Sequence, residues 1–157
     1  MTESKKQPKV IDCQASDNEY LHRDFHGAMC YSIAYLDDNF GPEATEEYLQ
    51  QVARTYYAPL AEQVKQRGLV ALEEHWREVF TREQGDFDLR YEDGVLVLTV
   101  KRCPAVAHMK EQGCMFTNRY CETTVVVNRT ICCDAGFACS CDYEPGEGRC
   151  VQRFWKP

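Results

Sequence analysis

The sequence predicts an α+β domain in which N-terminal helices and a helix pair pack on an antiparallel sheet of two hairpins. Apolar residues recur three or four apart at Phe25, Met29, Ile33 and Leu36, and again at Leu72, Trp76, Val79 and Phe80, the spacing of one helix face. Two later segments alternate polar and apolar residues about strong turn signals, Asp93-Gly94 and Pro145-Gly146-Glu147-Gly148. The chain has 157 residues, the size of one domain, and its 44% hydrophobic and 11% aromatic content can fill a single core.

Residues 1–17 are polar, lack apolar periodicity and read as a flexible arm, leaving 18–157 as the domain. Over 20–36, Phe25, Met29, Ile33 and Leu36 share one helical face. Gly41 breaks this helix. Pro42 suits the first position of the next, and Glu43, Glu46 and Glu47 crowd its start, where the helix dipole favours acids. That helix runs to Gly68 with a kink or break near Ala58, because Pro59 lacks an N–H and its ring clashes with the preceding turn. Leu72, Trp76, Val79 and Phe80 give a third helix its buried stripe.

The pattern changes at Asp86. A turn at Asp93-Gly94 that pairs Glu92 with Val95 puts Phe87, Leu89 and Tyr91 on one core face with Leu96, Leu98 and Val100. Residues 104–112 have the length of a short helix closed by Gly113. In 117–135 the run Thr123-Thr124-Val125-Val126-Val127 favours strand. Tyr120, Thr124, Val127, Ile131 and Ala135 keep helical spacing and Gly136 is a natural stop, so helix is expected. In the second hairpin, pairing Glu144 with Arg149 gathers Phe137, Cys139, Cys141 and Tyr143 with Cys150, Gln152 and Phe154. Asp142, Glu144, Arg149 and Arg153 then fall on the solvated face.

Eighteen basic against 25 acidic residues give a formal net charge of −7, the wrong sign for nucleic acid or an anionic membrane. No apolar run approaches a membrane span, and Met1-Thr2-Glu3-Ser4-Lys5-Lys6-Gln7-Pro8 lacks the apolar stretch of a secretion signal, so a cytoplasmic location is expected. In a reducing compartment the 10 cysteines point to burial, metal binding or catalysis rather than disulfides.

Cys103-Pro104-Ala105 places a cysteine at the mouth of a helix, where free N–H groups and the dipole stabilise a thiolate. His108, one turn on, serves as its base if its ring folds back. The alternative is that Cys103 ends a buried strand and His108 packs. None of the remaining cysteines has C-x-x-C spacing. Cys139, Cys141 and Cys150 nevertheless share a sheet face, with Cys121 or Cys132 on the covering helix. These thiols read either as small buried residues or as a zinc or iron–sulfur ligand set of Cys121, Cys139, Cys141 and Cys150. Asn128, in the middle of an otherwise apolar helix face, needs a partner if buried, which is either a ligand or a core group. Tyr120, Val127, Asn128, Tyr143 and Gln152 can line a pocket between that helix and the sheet. His22, His26 and His75 are scattered, with His75 read as a surface residue.

Cys103-Pro104 with His108, Cys121, Asn128-Arg129-Thr130-Ile131, Ala135-Gly136, Cys141-Asp142-Tyr143, and Gly148, Cys150, Gln152 and Phe154 resemble the L-2-amino-thiazoline-4-carboxylic acid hydrolase-like family of bacterial proteins. The helical part from Gly41 to Phe80 fits the same family more loosely. The order of elements is similar to small-ligand domains related to vinyl reductases and transport-particle subunits. The resemblance implies a hydrolase that opens a cyclic C–N bond in a cysteine-derived thiazoline. On this reading Cys103, His108 and Asp142 are catalytic and Asn128, Tyr120, Tyr143 and Gln152 bind substrate. No cofactor is expected, and the partner is a small neutral or zwitterionic molecule, with a homo-oligomer compatible. The competing expectation is a non-enzymatic binding module holding a metal, an iron–sulfur centre or a small ligand.

Overall fold

The computed structural model describes residues 23–157, so the expected arm, Cys13 and His22 lie outside the described residues. Six α-helices and a four-stranded antiparallel sheet follow the α+β plan. The order is α1 (Arg23–Phe40), α2 (Pro42–Tyr56), α3 (Ala58–Arg67), α4 (Leu69–Arg82), β1 (Asp86–Glu92), β2 (Val95–Arg102), α5 (Pro104–Glu111), α6 (Glu122–Ala135), β3 (Ala138–Glu144) and β4 (Arg149–Trp155). A 3-10 turn, Asn118–Cys121, leads into α6. The strand order is β1-β2-β4-β3, so β2 and β4 are central.

Both hairpins adopt the expected registers: Glu92 pairs with Val95 and Glu144 with Arg149. Register decides which side chains reach the core, because a slip of one residue reverses every face. Leu89, Leu96, Leu98 and Val100 are buried, while Tyr91, expected on the same core face, stands 45% exposed beside the hairpin turn of the edge strand. Pro59 separates α2 from α3, the chain stepping through Tyr57. Helix α6 forms as expected from Glu122 onward. Tyr120, however, sits on the 3-10 turn, which begins where Thr117 accepts a hydrogen bond from the Arg119 N–H.

The buried face of α1 is turned one residue from the expected stripe. Cys30 and Ile33 are fully buried and Phe25 is 57% exposed, so His26, four residues before Cys30, turns inward. His75 is half-buried rather than on the surface, packed edge-on between Tyr57 and Trp76. Burial lowers its pKa.

Two apolar clusters fill the interior. One joins α2, α3, α4 and α6 to the sheet through Leu72, Phe80, Leu98, Ile131 and Phe154. The other joins α1, α2, α5 and α6 through Ile33, Leu49, Val106, Met109 and Val126. Cys103 packs against both, which puts the first turn of α5 at their junction.

Candidate functional site

The β3–β4 turn folds over that junction and encloses a cavity of about 40 Å³, lined by Cys103, Cys121, Cys141 and Cys150 together with Tyr120 and Gln152. The turn is tied down on both sides. Cys103 N–H donates to the Gly148 carbonyl at 2.8 Å, and the Gly146 N–H is directed at the Cys121 sulfur. Gly148, at φ 70°, is required here: a Cβ would lie 3.1 Å from Val106 Cβ and 3.3 Å from Cys103 Cβ. A cavity this small has room for only a few water molecules, and its walls are mostly apolar, so a charge inside it is weakly screened.

Cys150 is the acidic thiol of this cavity. The Cys141 thiol donates to its sulfur, and so does Gln152 Nε2 at 3.3 Å; together they overcome burial and bring Cys150 down to about 7. Cys141, holding its proton for Cys150, is shifted upward. Gln152 is oriented in turn by Asn128, whose Nδ2 donates to Gln152 Oε1 at 2.8 Å. The two amides are 2% and 3% exposed, so neither has water as an alternative partner.

Cys103 stands at the mouth of α5 as expected, with the backbone N–H groups of Ala105 and Val106 toward its sulfur. The expected activation does not follow. Burial outweighs those donors and pushes the Cys103 thiol up to about 11. His108 lies five positions further on, about 140° around the helix axis. The cavity wall on α5 comes from Cys103 and Val106 and not from His108.

Opposite the thiols, the Tyr120 hydroxyl lies 3.1 Å from His26 Nδ1, and His26 Nε2 lies 3.1 Å from a carboxylate oxygen of Glu83. A carboxylate beside Nε2 selects the tautomer with its proton there, leaving Nδ1 to accept from the tyrosine. Glu83 is 5% and Tyr120 7% exposed. Tyr120 is held well above its ordinary pKa, chiefly by burial and then by its neighbours Cys103 and Glu83. This relay draws on α1, the end of α4 and the 3-10 turn. Gln84, in the left-handed region at φ 60°, and Gly85, where a Cβ would lie 2.7 Å from Phe80, form the tight turn beside Glu83.

The other residues singled out from the sequence are placed as follows. Tyr143 lines the cavity beside Arg149. Asn128 reaches it through Gln152 rather than as part of its wall. Asp142 is exposed, on the sheet face opposite Cys141, and is ion-paired with Arg153 at 2.6 Å. Of the four thiols of the alternative ligand set, Cys121, Cys141 and Cys150 share the cavity. Cys139 instead accepts a hydrogen bond from Cys132, which lowers its pKa. Among the described residues no group of three or more His, Cys, Asp or Glu side chains is arranged to hold a metal ion. A larger groove of about 170 Å³ lies between α2, α3 and α6, but Arg54, Glu62, Lys65 and Asp134 make it a charged surface feature that holds no thiol. No helix among the described residues is long and apolar enough to cross a membrane.

Comparison with family models, with curated proteins and with solved structures gave no match, so the reading of the site rests on its own geometry.

Proposed function

We propose that the chain is a thiol-dependent hydrolase that opens the ring C–N bond of a small cyclic amidine, such as a cysteine-derived thiazoline, with Cys150 as nucleophile and Tyr120 as proton donor. The observation that supports this best is the meeting, in one cavity, of a thiol that is substantially ionised near neutral pH with a tyrosine backed by a His–Glu pair. Cys150 attacks the amidine carbon. The ring C–N bond then breaks and its nitrogen takes the Tyr120 proton, leaving the carbon as a thioimidate on Cys150. Water attacks that carbon and gives a proton back to Tyr120, and the carbon–sulfur bond to Cys150 breaks to release the ring-opened product. His26, anchored by Glu83, holds the Tyr120 hydroxyl in place. Gln152 and Cys141 stabilise the leaving thiolate, and Asn128 positions Gln152. His108 and Asp142 take no part.

The size of the cavity limits what enters: the reacting carbon reaches the thiols while the rest of the substrate lies toward Tyr143 and Arg149 at the rim. The test is ring opening of 2-amino-thiazoline-4-carboxylate by the full chain, followed by NMR. Cys150→Ala should abolish turnover, Tyr120→Phe should lower it by about 10²-fold or more, and Cys103→Ser should retain most of it. Turnover that survives Cys150→Ala, or none from the unaltered chain, overturns the proposal.

A further inference from the structure

Cys141 and Cys150 project from neighbouring strands onto the same sheet face, diagonally offset by two residues, because Cys141 is opposite Gln152 and Tyr143 is opposite Cys150. Their thiols are in hydrogen-bond contact and both line the cavity. Hydrolysis needs only one of them. The second sulfur, in contact with the nucleophile and protonated beside it, has the position of a resolving thiol.

We propose that Cys141 and Cys150 form a reversible dithiol–disulfide couple that exchanges with small-molecule disulfides, Cys150 attacking and Cys141 resolving. In the first step the Cys150 thiolate attacks one sulfur of the small disulfide. That S–S bond breaks, one half leaves as a thiolate that takes up a proton, and a mixed disulfide remains on Cys150. In the second, Cys141 gives its proton to solvent and attacks the Cys150 sulfur, expelling the other half as a thiol. The two cysteines lose two electrons and two protons in all, and the small disulfide gains them. The mostly apolar lining, with Arg149 paired to Glu144 at its edge, favours an uncharged disulfide over a polyanionic one. The couple shares its attacking thiol with the hydrolytic reading but not its chemistry, and the resulting Cys141–Cys150 bond withdraws the nucleophile, so oxidation would switch hydrolysis off.

The experiment exposes the full-length chain at pH 7 to bis(2-hydroxyethyl) disulfide and maps every cysteine by peptide mass spectrometry over time. The unaltered chain should yield a Cys141–Cys150 disulfide with no adduct retained on either residue, reversed by added thiol. Cys141→Ser, which keeps a hydroxyl donor for Cys150, should instead accumulate the mixed disulfide on Cys150. Cys150→Ser should leave Cys141 unmodified on the same timescale. An adduct retained on Cys150 of the unaltered chain, or a bond from Cys150 to Cys103 or Cys121, overturns the couple. If Cys150→Ser fails to fold, first modification at Cys141 in the unaltered chain overturns it equally. Loss of amidine turnover with the couple intact would count against the hydrolytic reading alone.

Discussion

Replacing Cys141 by alanine removes the largest single influence on Cys150, the thiol proton that the Cys150 sulfur accepts. Gln152 remains as a donor and burial still opposes ionisation, so Cys150 should return from about 7 to its ordinary value of 9.0 or above. At pH 7 the thiolate fraction then falls from about one half to about 1%, a loss of roughly 50-fold. A more basic thiolate is also a better nucleophile. With a Brønsted coefficient of about 0.45 this restores roughly 8-fold, leaving a net loss of about 6-fold in the rate at which Cys150 attacks a neutral disulfide. At pH 10, where both forms are largely ionised, the variant should be the faster of the two. Peptide-resolved labelling of Cys150 from pH 5 to 11 reads both effects, as an upward move of the midpoint and a crossing of the two curves. A Cys150 midpoint near 9.0 in the unaltered chain, or curves that superimpose, would refute the reasoning.

Between pH 9 and 11 the unfolded chain has released the Cys103 proton that the native state keeps, because the native thiol is raised from 9.0 to about 11. The native state then binds more protons, so stability is intact below the lower value and falls through this window by up to about 1.4 kcal/mol per pH. Urea titrations should show a shallower fall for Cys103→Ala. Asn128→Leu strands the Gln152 carbonyl in a dry interior and should cost about 1–3 kcal/mol. It should also raise the Cys150 midpoint as Gln152 loses its orientation, an effect that a merely structural amide would not produce. Phe154→Ala, at a fully buried position on the central strand β4, should cost about 3–5 kcal/mol by thermal or chemical denaturation. Gly148→Ala forces a side chain into a left-handed residue and against Val106 and Cys103, so it should slow Cys150 labelling as well as destabilise the fold.

The strands and most helices were legible because local signals and the buried pattern agreed. Asp93-Gly94 set one hairpin and the four-residue turn the other, and the second register placed Cys141 and Cys150 on the face that meets the cavity. Pro59 marked the α2–α3 break for the same reason. The site itself was half legible. Cys103, Tyr120, Tyr143 and Gln152 do meet at one cavity. The identity of the acidic thiol was not readable, because it depends on a balance between two donors and burial that no spacing encodes, and at Cys103 the same balance goes the other way. His26 and Glu83 were missed because they lie 57 residues apart and join only in the fold. The available signal was a histidine four residues before Cys30 and seven before Ile33, on an apolar face whose phase was read one residue out. Strand alternation placed Asp142 on the solvated face, where Arg153 pairs with it, and its catalytic assignment came only from the resemblance.

The central claim, that Cys150 and not Cys103 is the nucleophile of this cavity, is tested most directly by acid-quenching the full chain during its reaction with 2-amino-thiazoline-4-carboxylate and locating the covalent intermediate by peptide mass spectrometry. The adduct should map to Cys150, form more slowly in Tyr120→Phe, and be absent from Cys150→Ala. An adduct on Cys103, or turnover that proceeds with Cys150 replaced, would contradict the account.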